Sequence, residues 1–282
     1  MGSAVIVDIV RTASGRGKPG GALSGVHPAD LLATTIRALL DRTGIDPELV
    51  EDVLAGCVSQ VGDQTMNIAR TAALVSGLPE QVPGVTIDRQ CGSSQQAAHF
   101  AAHGVMAGAY DVVIAGGVES MSRVPMFSNV GDGDPLGPLE RRYPAGLPAQ
   151  GYGAELMAAR WGLTRDDLDA FSARSHRLAA DATANGDFDR EIVPVEVPAE
   201  EGGTTAHTVD QTVRANTTTE SLAGLRSAFF DQDMAARYPE IGWHITPGNS
   251  SPLSDGASAA LMLARLIELL QAPDQLLGPA RA

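Results

Sequence analysis

Residues 84–117 read GVTIDRQCGSSQQAAHFAAHGVMAGAYDVVIAGG. A short β-branched run at 84–88 leads through Cys91 into a helix of small and apolar residues at 94–106. A second apolar run at 112–115 follows and closes on Gly116-Gly117, read here as a turn. Strand, helix, strand, with strands apolar on both faces, is the signature of a largely parallel sheet covered by helices. The same alternation extends toward the N-terminus. Residues 4–9 and 52–58 read as strands, and 28–40 and 67–76 as helices, with Pro28 suited to a first helical turn. The expected fold is α/β, with a parallel-rich sheet.

The pattern changes after Ser122. Gly, Pro and Asp crowd residues 131–151. Residues 154–161 and 165–185 read as helices, the second opened by Thr164 with Asp167 three positions on, the spacing of a capping box. Residues 202–216 are polar and turn-rich. A strand pattern returns at 258–264, after Ser254-Asp255-Gly256, which reads as a turn. The stretch 122–247 is therefore expected to be an insertion packed beside the sheet. Residues 265–270 fit a short helix, and 272–282 form a tail rich in Pro, Gly and Arg.

The 282 residues hold 34 Asp+Glu against 20 Lys+Arg, a formal net charge of -14, with 44% hydrophobic residues. That apolar share excludes disorder for most of the chain. The acidic balance argues against a nucleic-acid backbone as the main partner, though a local Arg cluster can still hold an anionic metabolite. Two cysteines, neither in C-x-x-C, give no disulfide framework and no zinc site. No basic segment followed by a long apolar run opens the chain, and no window approaches ~18 consecutive apolar residues. A cytoplasmic location without a membrane span is expected.

Cys91 is the strongest chemical candidate. A thiol at the start of a helix meets the positive end of the macrodipole and unpaired N–H groups, which favour the thiolate. Gly92 beside it leaves room for a bulky thioester, and the same N–H groups suit an oxyanion. A buried, inert cysteine is the alternative at that position. Cys57 ends an apolar strand with no helix start beside it, and reads as a core residue. His99 and His103 have metal-ligand spacing, but the residues between them are Phe-Ala-Ala, so the H-E-x-x-H pattern is not met. Neither 15–21 nor Gly116-Gly117 completes a phosphate-loop pattern. The loop at 244–256 is dense in small polar groups able to meet a ligand.

Several segments resemble the thiolases, the acetyl-CoA C-acetyltransferase and 3-ketoacyl-CoA thiolase family. Asp88-Arg89-Gln90-Cys91-Gly92-Ser93-Ser94-Gln95-Gln96-Ala97 is similar to the family's nucleophile segment. Ala115-Gly116-Gly117-Val118-Glu119-Ser120-Met121-Ser122 resembles its Gly-Gly-x-Glu-x-Met-Ser segment. Gly248-Asn249-Ser250-Ser251 with Ser254-Asp255-Gly256-Ala257 looks like its Gly-Asn-(Ala/Ser)-Ser…Asp-Gly-Ala loop, and Ile6-Val7…Arg11-Thr12 fits its opening. Order and spacing agree from about residue 4 to 264.

The resemblance implies an acyl-CoA acyltransferase in lipid metabolism. Cys91 would take an acyl group as a thioester, then pass it to the acetyl-CoA carbanion or, in thiolysis of a 3-ketoacyl-CoA, to free CoA. Arg214, Ser221, Leu225 and Phe229 match the stretch that contacts nucleotide and pantetheine, and Ser251 the pantetheine-binding serine. Coenzyme A is then a substrate, with no resident cofactor and no metal. The implied domains are 1–121 as the first part of the N-terminal α/β domain, 122–247 as an inserted CoA-binding loop domain, 248–264 as the return, and 265–282 as a tail. Residues 149–153 lack the histidine the family often carries there. The family's second α/β domain, with its Asn-Glu-x-Phe, Gly-His-Pro and Cys-x-Gly-Gly-Gly segments, has no counterpart in this sequence. The expected partners are acyl-CoA or CoA, and a second copy or another chain supplying that domain. The alternative is a truncated, catalytically incomplete chain that binds CoA or protein.

Overall fold

The computed structural model describes residues 2–199 and 202–264. The short helix expected at 265–270 and the tail at 272–282 lie outside the described residues. The described residues divide into two compact units: one takes 2–129, Phe188–Thr212 and 253–264, the other Val130–Asp187 and Val213–Pro252.

The first unit is built on β1 (Ala4–Thr12), β2 (Gly15–Arg16), α1 (Pro28–Thr43), β3 (Asp52–Gly56), α2 (Ile68–Ser76), β4 (Gly84–Ile87), α3 (Ser93–Ala107), β5 (Val112–Ser120), β6 (Ile192–Val193), β7 (Val195–Pro198), β8 (Thr204–His207) and β9 (Ser254–Ala264). Its main sheet has the order β4-β3-β5-β9-β1-β6, with β2 also on β9. Pairings of β3 with β4 and β5, and of β1 with β6, are parallel; those of β9 with β1, β2 and β5 are antiparallel. The fold is thus α/β with a mixed sheet. Alternation along the strands separates two cores. Val53, Ile114 and Leu261 face the cluster that includes Leu32 and Ile36 of α1 and Ile68 and Ala72 of α2. Leu54, Val113 and Met262 face the other way, onto Ala97, Ala101 and Val105 of α3.

The structure corrects the sequence reading at two turns. Gly116-Gly117 does not end a strand; β5 runs through both glycines to Ser120. They are glycines because neighbours lie where side chains would be: a Cβ at Gly116 would stand 2.3 Å from the Ser258 carbonyl oxygen, and one at Gly117 2.8 Å from Ser94 Cβ. Nor is Ser254-Asp255-Gly256 a turn, for β9 starts at Ser254. Asp255 is buried there because the Ser122 N–H (2.9 Å) and hydroxyl (2.5 Å) both donate to its carboxylate. Residues 188–212, which the sequence places inside the 122–247 insertion, lie with the sheet unit. There β6 pairs with β1, Arg11 binds Asp210 and Glu191, and Gln211 Oε1 accepts the N–H groups of Arg16 and Ala22.

The second unit is helical: α4 (Gln150–Trp161), α5 (Arg165–Asn185), α6 (Thr219–Ala223) and α7 (Gln232–Arg237). Thr164 and Asp167 form the expected capping box on α5. Among the described residues no helix is long and apolar enough to cross a membrane.

Candidate functional site

In the first unit, Cys91 is exposed, and Gly92 caps α3 directly after it. The loop holding it is tied at each step. Asp88 Oδ1 accepts the Gln90 N–H (2.9 Å), and the buried Ser93 hydroxyl accepts the Arg89 N–H (2.9 Å) while donating to the Gln90 carbonyl (2.5 Å). Those bonds hold Gln90 at φ 51, a left-handed conformation that costs a non-glycine residue energy and needs such support. The Gly92 N–H returns to the Arg89 carbonyl and the Ser93 N–H to that of Gln90. Cys91 therefore projects from a hydrogen-bonded turn at the N-terminus of α3.

The first turn of α3 rests on the sheet at two glycines. A Cβ at Gly56 would lie 2.2 Å from the Ser94 nitrogen, so β3 admits the helix only without a side chain there. Glu119 on β5 fixes the segment after β3: its carboxylate accepts from the N–H groups of Val58 (2.8 Å) and Ser59 (3.3 Å) and from the amide of buried Gln64 (2.7 Å). In that segment Cys57 is buried. Burial foremost, then the charges of Glu119 and Asp88, pushes its thiol up to about 12. Cys57 is thus a core thiol, as the sequence suggests. His99 and His103 are exposed and stack with ring centroids 6.3 Å apart.

The other candidate residues belong to the second unit. The Arg214 N–H donates to His176 Nδ1 on α5 (3.2 Å), and burial, then the Arg214 charge, holds that imidazole below its ordinary value. Beside them a groove of about 470 Å³ is lined by Ala170, Ala173, Arg174 and Arg177 of α5 and by residues of 215–219. Ser221 is spoken for locally: its hydroxyl donates to the Thr218 carbonyl (2.8 Å) and accepts the Thr218 N–H (3.0 Å), closing a capping box on α6. Leu225 packs with Leu222 over Gly248, and the Phe229 ring lies over Gly151 of α4. Ser251 is exposed just beyond the 244–250 loop.

Sequence reasoning missed what holds that loop. Glu155 of α4, fully buried, accepts the N–H groups of His244 and Ile245, both at 2.8 Å. Asp169 of α5, also buried, accepts from Asn249 Nδ2 (2.9 Å) and Arg165 Nε (2.7 Å). The available signal was the capping box, which starts α5 at Arg165 and sets Asp169 one turn on.

The thiolase N-terminal domain model matches residues 4–265. The chain belongs to that family. The steroid 3-ketoacyl-CoA thiolase of Mycobacterium tuberculosis is 43% identical over 272 residues, covering 93% of this chain and 62% of that protein. A 3-ketoacyl-CoA thiolase of Pseudoalteromonas translucida is 42% identical over 265 residues, covering 93% and 64%. The crystal structure of a Bacillus anthracis acetyl-CoA acetyltransferase superposes with TM-score 0.80 at 33% identity, over 99% of this chain and 68% of that one. This thiolase-family chain thus spans less than two thirds of the length of those curated relatives.

Proposed function

We propose that this chain carries the acyl-accepting thiol and the CoA-binding surface of a thiolase-type acyltransferase. The observation that carries the reading is the exposed Cys91, held on a hydrogen-bonded turn at the N-terminus of α3. In the first step the Cys91 sulfur attacks the thioester carbonyl of an acyl-CoA. A new S–C bond forms, the old one breaks, and CoA leaves as its thiolate, which takes up the proton given up by Cys91. In condensation the acyl group then leaves Cys91 for the α-carbon of acetyl-CoA, whose α-proton ends on the freed Cys91 sulfur. In thiolysis Cys91 instead attacks the 3-keto carbonyl of a 3-ketoacyl-CoA, the C2–C3 bond breaks, and the departing acetyl-CoA takes up the proton given up by Cys91; free CoA then takes the acyl group, and its thiol proton returns to Cys91. Arg214, Ser221, Leu225, Phe229 and Ser251 would contact CoA, and the cation-lined groove beside Arg214 suits its phosphates. No resident cofactor is needed, since CoA enters and leaves as substrate. A general base from the part of the relatives' length that these residues do not span would add about 10²–10⁴-fold. A place in acyl-CoA metabolism agrees with the 3-ketoacyl-CoA thiolase names of the relatives.

Intact-mass measurement after incubation with acetyl-CoA tests this. A single acetyl adduct, absent from Cys91→Ala, is expected. An adduct that persists in Cys91→Ala, or none on folded protein that has been supplied with the relatives' C-terminal part, would overturn the role of Cys91.

A further inference from the structure

Two chain segments expected to meet CoA, α6 with Leu225 after it and the 244–251 loop, are separate in sequence and share one buried anchor. That anchor is Asp169, whose side chain is 2% exposed. Its Oδ1 accepts from Asn249 Nδ2 at 2.9 Å. Asn249 in turn shapes the loop, accepting the Thr246 N–H (2.7 Å) and donating to the His244 carbonyl (3.0 Å). Asp169 Oδ2 accepts from Arg165 Nε at 2.7 Å. The same guanidinium donates through Nη2 to the carbonyls of Leu222 (2.6 Å) and Leu225 (3.1 Å), at the end of α6. One carboxylate therefore holds the Ser251 loop with one oxygen and the α6 segment with the other.

The geometry points to Asp169 as a positioning residue that fixes the spacing between these two CoA-contacting segments, with Arg165 and Asn249 as its two arms. This rests on the CoA reading above and adds to it a residue that does not itself touch the ligand. The arrangement needs two acceptor oxygens on one side chain. Asparagine, nearly the same shape, has one acceptor oxygen and a donor amide. In Asp169→Asn, one arm is lost whichever way the carboxamide turns.

Titration calorimetry of the full chain with CoA tests this, with thermal midpoints measured alongside. Asp169→Asn is expected to weaken CoA binding about tenfold or more, the scale of a lost charge-assisted hydrogen bond at a pre-organised site. Arg165→Met should weaken it comparably. Arg165→Lys keeps a cation for Asp169 but lacks the planar fork that reaches the α6 carbonyls, so it should recover part of the affinity. A purely structural role would instead make affinity follow the thermal midpoint, with no partial rescue by lysine. Wild-type binding with Asp169→Asn and Arg165→Met both within about twofold of it would overturn the inference alone. Absence of CoA binding by the wild-type chain would overturn the CoA reading and this inference with it. If Asp169→Asn does not fold, the two Arg165 variants decide, because that side chain is partly exposed at the start of α5.

Discussion

The backbone nitrogen of Ser94 lies where the side chain of residue 56 would begin: a Cβ at Gly56 would stand 2.2 Å from it. That contact brings the first turn of α3, and the turn carrying Cys91, down onto the sheet. Gly56→Ala should therefore lift or tilt the helix start and lower stability by about 1–3 kcal/mol, the cost of overpacking. Gly92→Ala is the comparison, since a Cβ there meets nothing nearer than the Arg89 carbonyl oxygen at 3.5 Å. Its effect should stay within about 1 kcal/mol, because the lost N-cap glycine and the stiffer unfolded chain act in opposite directions. Urea unfolding of the two variants checks both.

The two thiols should differ sharply in access. Cys91 is exposed, whereas Cys57 is buried with its thiol pushed up to about 12. Iodoacetamide at pH 8 should alkylate Cys91 in the folded chain and reach Cys57 only after unfolding. Peptide mass spectrometry reads the sites directly, and early modification of Cys57 would contradict the packing of β3.

Acid stability should depend on Asp210. Burial works to raise its pKa, but the Arg11 hydrogen bonds, the Ser14 N–H and the Arg11 charge outweigh that and hold it below the ordinary 3.8. A carboxyl depressed in the folded state adds stability above its unfolded value, lost as pH falls through the folded one. Asp210→Asn should flatten the stability profile from about pH 5 downward, where unfolded carboxylates take up protons. Unfolding midpoints measured across that range test it.

His176 gives a second pH signature. Its Nδ1 accepts the Arg214 N–H and so must be unprotonated, and burial with the Arg214 charge depresses its pKa below 6.5. The contribution to stability is present above 6.5 and is lost as pH falls through the lower folded value. In an NMR titration the Arg214 amide signal should move with His176 in the wild type and stay flat in His176→Gln.

Much of the fold was legible because its signals are local. The helix starts at Pro28 and Thr164 and the apolar strands announce themselves within a few residues. The glycines misled because Gly116-Gly117 looks like a turn until the Ser258 carbonyl and Ser94 are known to lie against it. Asp255 looked like turn chemistry because its partner, Ser122, is 133 residues away. Cys91 stood out by its place between strand and helix. Glu155 and Asp169 did not, since an acidic residue on a helix ordinarily faces water; only the bonds to His244, Ile245 and Asn249 reveal otherwise.

The strand β9 lies between β5 and β1 and pairs with both along its length, Ala264 with Ala4 and Ser258 with Gly117. In the strand order of the described residues, β9 joins β1 to the β4-β3-β5 half of the sheet. As the chain leaves the ribosome, its first strand must wait for nearly its last described one before the sheet can close. Closing so distant a pair carries a large loop entropy and belongs to the slow class of topologies. The edges of β1 and β5 stay open in the interval, which makes the nascent chain dependent on shielding until β9 emerges.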